Sequence, residues 1–117
     1  MYTISKQFEF SASHQLNGLP DDHPCSRLHG HNYIVEIVLE SAKLNEVGFV
    51  RDYRELKIVK DFLDQNFDHR HLNDVIAAQP SAEQIAYFLY HQFKIHVPEL
   101  AAVRVSETPK TWAEYRR

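Results

Sequence analysis

A single cysteine in 117 residues excludes an internal disulfide framework and leaves Cys25 as a free thiol. Long hydrophobic runs are also missing. No stretch approaches the roughly 20 apolar residues of a membrane span. The first residues, MYTISKQFEF, lack the apolar core of a signal peptide. An excess of basic charge is absent too. The net charge of −3 argues against a nucleic-acid partner, which calls for a basic face. With no repeat, low-complexity tract or linker, residues 1–117 read as one soluble, cytoplasmic domain with no membrane partner. At 44% hydrophobic and 25% charged, the chain is too apolar for a disordered tail. A domain of this size buries only about two-thirds of its unfolded surface, so association with other copies is expected. What is plentiful is histidine, with 8 residues. Histidine serves metal sites and proton transfer near neutral pH.

The apolar pattern gives the order ββααββ. Tyr2, Ile4, Phe8 and Phe10 alternate, which predicts a strand over 2–10. The polar, turn-rich stretch 11–28 predicts a long loop. Tyr33, Val35, Ile37 and Leu39 fall on one face of a second strand over 32–40. Asp52 is placed to cap a helix whose stripe is Leu56, Val59, Phe62, Leu63 and Phe67. Ser81, with Gln84 three residues on, predicts the start of a second helix that ends by Pro98. Val103 and Val105 mark a third strand, and a turn at Pro109-Lys110 leads to a last strand over 111–116. The fold class is α+β, with two helices on one face of an antiparallel sheet.

His29 and His31 are two apart, so an extended chain projects both from one face. His14, at the end of the first strand, is the leading third ligand. Three imidazoles suit Zn²⁺ and leave a fourth position open for chemistry. Cys25, four residues before His29, reads either as a fourth ligand closing a structural site or as a general base beside the cation. Asp68 and His69 form an acid–base pair only if a turn lets neighbouring side chains meet; otherwise Asp68 caps a turn. His71 is the rival for any role given to His69. Glu107 lies near a strand end, where a carboxylate is either solvated or, if buried, in need of a donor-rich partner. Arg27, Lys110, Arg116 and Arg117 are candidates by charge for an anion.

Taken together, FSASHQL, CSRLHGHNY, FDHRHLND and VSET resemble the 6-pyruvoyl- and 6-carboxy-tetrahydropterin synthase family, over nearly the whole chain. The resemblance implies that His14, His29 and His31 hold zinc and that Cys25 is a base outside the ligand set. It implies that Asp68 and His69 are the acid–base pair, in preference to His71, and that Glu107 anchors the guanidine edge of a pterin. The three residues between Cys25 and His29 look like those of the 6-carboxy-tetrahydropterin synthases of queuosine biosynthesis. The implied fold is the tunnelling fold, assembled as a dimer of trimers with active sites between subunits. The implied reaction converts 7,8-dihydroneopterin triphosphate to 6-carboxy-tetrahydropterin, acetaldehyde and triphosphate. The sister enzyme making a 6-pyruvoyl product, a zinc hydrolase and a non-catalytic structural zinc protein are the alternatives.

Overall fold

Alternation in the first two strands sets the frame of the molecule, a computed structural model describing residues 1–117. Strand β1 (Tyr2–His14) pairs antiparallel with β2 (His29–Ser41) along its whole length, from Tyr2 opposite Ser41 to His14 opposite His29. Phe8, Phe10, Ala12 and His14 of β1 are buried on the same face as Tyr33, Val35, Ile37 and Leu39 of β2. Strand β1 runs on to His14, inside the expected loop, and β2 starts at His29, three residues before the hydrophobic pattern predicts. Ser11 and Ser13 alternate with Ala12 and His14, a pleat with little apolar contrast but an unbroken ladder.

Asp52 does cap a helical segment, but that segment is a 3-10 turn, Tyr53–Leu56. Its carboxylate accepts the Arg54 N–H at 2.9 Å. Helix α1 (Lys57–Asn66) follows and turns Val59 and Leu63 into the core. A two-residue strand, β3 (Arg70–His71), comes next and pairs parallel with β1 at Ala12 and Ser13. This strand is an addition to the expected ββααββ order, too short to carry a periodic signal. The Ser81 hydroxyl accepts the Gln84 N–H at 3.2 Å and opens α2 (Ala82–Lys94). The helix stops well before Pro98, and the Lys94 ammonium donates to the carbonyls of Pro98 and Leu100. Strands β4 (Leu100–Thr108) and β5 (Thr111–Arg116) form the expected hairpin.

The sheet order is β3-β1-β2-β4-β5. The two helices and the buried sheet face share one core of 22 residues, including Phe10, Tyr33, Phe67, Leu89 and Phe93. On the opposite face, Arg104 bridges Glu36 at 2.6 Å and Glu114 at 3.6 Å. The edge of β1 from Tyr2 to Phe10 and the outer edge of β5 pair with no strand of this chain. No helix is long and apolar enough to cross a membrane.

Candidate metal centre

The sheet register brings the three histidines together. His14 stands directly opposite His29, and the small Ala12 stands opposite His31, leaving room for a third ring. Ring centroids lie 4.4 Å apart for His14 and His29, 4.8 Å for His29 and His31, and 5.0 Å for His14 and His31. One nitrogen from each ring lies within 4.8 Å of the other two. The cluster is thus the polar end of the sheet face that carries Phe10 and Tyr33 into the core.

Hydrogen bonding fixes which nitrogens face inward. His14 Nδ1 donates to the Pro80 carbonyl at 2.6 Å, and His29 Nδ1 donates to the Arg27 carbonyl at 2.7 Å. A carbonyl only accepts, so both rings carry a proton on Nδ1, and each ring when neutral has its lone pair on Nε2. Those two Nε2 atoms are 2.8 Å apart. Two lone pairs at that distance repel unless something positive lies between them. His31 Nε2 is buried with no hydrogen-bond partner, and its nearest carboxylate oxygen, Glu107 Oε2, is 3.5 Å away. Burial lowers the His31 pKa; Glu107 opposes that shift, and His14 and His29 reinforce it. Three ring nitrogens therefore gather within 4.8 Å of one another, with two of the rings oriented from behind by carbonyls. That donor set fits a metal cation.

Glu107 approaches the cluster at His31, and His69 shares a cleft with it. Cys25 is not among the clustered ligand atoms. It sits in a 3-10 turn, Pro24–Ser26, donating its N–H to His23 Nδ1 at 3.0 Å. Asp68 and His69 do meet, with His69 Nδ1 donating to Asp68 Oδ2 at 2.8 Å. The required turn is supplied by His69 itself, whose φ of 57° is left-handed. Asp68 Oδ1 also accepts the Ser11 N–H at 2.9 Å, and the His69 N–H returns to the Ser11 carbonyl at 2.6 Å. The Ser11 N–H first, and His69 second, hold the Asp68 carboxyl below its ordinary pKa. The His69 side chain is 82% exposed. It borders a polar cleft of about 490 Å³ with Ser11, Ser13, Asn32 and His71, and the cleft reaches His31. His71 pairs with Ser13 Oγ at 3.0 Å instead of a carboxylate.

Glu107 is held rather than solvated. Its Oε1 accepts the Ala82 N–H at 3.1 Å, in the first turn of α2, where helix polarity favours a carboxylate. It borders a pocket of about 190 Å³ with Val105 and Thr111. Among the charge candidates, Arg116 is engaged by Glu40 and Glu114. Two contributors escaped the sequence reading. The buried Tyr33 hydroxyl lies 3.1 Å from His14 Nδ1, and burial raises its pKa. Its place two residues after His31 was a usable signal, whereas the Pro80 carbonyl, a backbone atom, gave none.

Fold and centre together define a small α+β protein that gathers three imidazoles with the spacing of a metal site. The family model described as 6-pyruvoyl tetrahydropterin synthase matches residues 3–117. The chain belongs to that family, whose members are enzymes acting on pterins, and its fold is the tunnelling fold. It is 36% identical over 122 residues to the 6-carboxy-5,6,7,8-tetrahydropterin synthase of Synechocystis, covering 98% of this chain and 93% of the relative. It is 30% identical over 144 residues to the enzyme of that name from Haemophilus influenzae, covering 99% of each. The structure of Caenorhabditis elegans 6-pyruvoyl tetrahydropterin synthase superposes with a TM-score of 0.86 at 26% identity, covering 99% of this chain and 95% of that one.

Proposed function

We propose that this single-domain protein is a zinc-dependent 6-carboxy-tetrahydropterin synthase of the queuosine (7-deazaguanine) pathway, acting in the cytoplasm on 7,8-dihydroneopterin triphosphate. The observation that carries the reading is the gathering of His14, His29 and His31 ring nitrogens within 4.8 Å of one another with Cys25 outside the set. Zinc held there supplies Lewis acidity to the hydroxyl oxygens of the substrate side chain. The chain's own groups do the rest. Glu107 accepts the two parallel N–H groups of the pterin's guanidine edge and fixes the ring. The Cys25 thiolate removes a proton from the side chain. His69, oriented by Asp68, moves a proton to or from a side-chain hydroxyl. One water then adds at the side-chain carbon next to the ring, and cleavage releases acetaldehyde and triphosphate; that carbon is oxidised to the 6-carboxylate as the dihydropterin ring is reduced to the tetrahydropterin.

The exposure of His69 and the unpaired edges of β1 and β5 support an assembly in which neighbouring subunits share each site, a dimer of trimers. The sister reading, a 6-pyruvoyl product from the same substrate and residues, is disfavoured by the names of the relatives at 36% and 30% identity. A purely structural zinc shell is disfavoured because Cys25 lies outside the cluster. Mass spectrometry of the products from zinc-loaded protein and 7,8-dihydroneopterin triphosphate tests the proposal. A 6-carboxy-tetrahydropterin with acetaldehyde is expected. A pyruvoyl product would reassign the pathway, and unreacted substrate would overturn the assignment.

A further inference from the structure

Residues 15–17 lie beyond the end of β1 in no strand, yet their backbone groups bond to alternate sides as a strand's do. Gln15 and Asn17 point their N–H and C=O groups to one side. There, two side-chain amides take the place of a neighbouring strand. The Gln15 N–H donates to Asn73 Oδ1 at 2.9 Å, and Asn73 Nδ2 donates back to the Gln15 carbonyl at 2.8 Å. The Asn17 N–H donates to Gln79 Oε1 at 2.9 Å, and Gln79 Nε2 donates back to the Asn17 carbonyl at 2.6 Å. Leu16 points the other way, and its N–H donates to the Cys25 carbonyl at 3.0 Å. Gln15 Nε2 adds a bond to the Ser26 carbonyl at 2.9 Å. Gly18, with a φ of 81°, then turns the chain away.

We propose that Asn73 and Gln79 are positioning residues that hold the Cys25 turn in register with His14. The inference rests on the reading of Cys25 as the base. The two amides spend both their donors and their acceptors on a three-residue stretch whose far side holds the thiol's turn. All four amide bonds are solvent-exposed, so water could satisfy the same backbone groups; what the amides add is a fixed register. The amides lie on the segment that begins with Asp68 and His69, which bind the backbone of Ser11 in β1. One segment, 68–79, thereby sets both the acid–base pair and, through β1's extension, the thiol against the histidine cluster.

Asn73→Ala and Gln79→Ala, each made in the zinc-loaded protein, test this. Zinc per chain is expected to stay at the wild-type level. Amide exchange at Leu16 is expected to accelerate by about 10-fold or more as the stretch opens locally. The rate of Cys25 alkylation by iodoacetamide is expected to change at fixed pH. Turnover should fall by roughly 10- to 100-fold with KM nearly unchanged, since a misplaced base costs rate more than binding. Gln79→Glu, which keeps the acceptor to Asn17 and loses the donor, should recover part of the loss. Exchange and alkylation equal to wild type in both alanine variants would overturn the proposal, as would a turnover loss that tracks lost zinc. If Cys25→Ala keeps full turnover, the base reading falls, and exchange and alkylation decide the clamp by themselves.

Discussion

His14 and His29 are both proposed ligands, yet removing them should have unequal consequences for the metal-free protein. His14 is fully buried. Its ring fills space against Tyr33 and satisfies the Pro80 carbonyl. His14→Ala leaves a void and an unpaired buried acceptor, together costing about 3 kcal/mol. At about 4–8 °C per kcal/mol for a domain slightly smaller than this one, the melting temperature should fall by roughly 10–20 °C. His29 is only half-buried, and its Nε2 faces the His14 lone pair at 2.8 Å. His29→Ala loses the bond to Arg27 but relieves that repulsion, so the net change should stay within about 1 kcal/mol. Zinc at a hundred times its dissociation constant should stabilise the wild type by about 2.7 kcal/mol and neither variant appreciably. Thermal melts at pH 7.5, with chelator and with zinc, read all of these values. Equal metal-free stability of the two variants, or a wild-type-sized zinc shift in His29→Ala, would refute the reasoning.

Cys25→Ala should retain zinc and lose turnover by about 100-fold or more, checked by metal analysis beside product formation. His69→Gln should lower turnover by a similar factor while His71→Gln, whose side chain bonds Ser13 and no carboxylate, should change it by less than about 3-fold; steady-state kinetics decide. Arg51 holds Glu99 through paired bonds, the shortest 2.8 Å, and these lower the Glu99 pKa despite partial burial. A carboxyl lowered in this way adds stability above its ordinary range and loses it as pH falls through the folded value. Arg51→Gln should therefore cost about 1–2 kcal/mol at pH 7 and progressively less as acid protonates Glu99 below the ordinary carboxylate range, measured by urea melts across pH.

Where burial and periodicity coincide, the chain was readable in advance. Tyr33, Val35, Ile37 and Leu39 are fully buried on the side their spacing predicts, and Ser81 caps α2 with its hydroxyl. The ends of β1 and β2 were harder. Ser11, Ser13 and Gly30 have no apolar contrast, so only the partner strand reveals that they are paired. Strand β3 exists only through its contact with β1. In the site, the i, i+2 histidines were legible because strand geometry alone puts them on one face. The meeting of Asp68 with His69 was not, because it depends on a left-handed φ at a non-glycine residue. The orientation of the rings was invisible for a simpler reason: carbonyls of Arg27 and Pro80 set it, and every residue has a carbonyl.

The central claim is that three histidine nitrogens, and no sulfur, hold the metal. Zinc-edge X-ray absorption on the zinc-loaded protein tests it most directly. The account predicts a first shell of nitrogen and oxygen near about 2.0–2.1 Å, identical in wild type and Cys25→Ala. A sulfur at about 2.3 Å that vanishes in Cys25→Ala would contradict it and make the thiol a ligand.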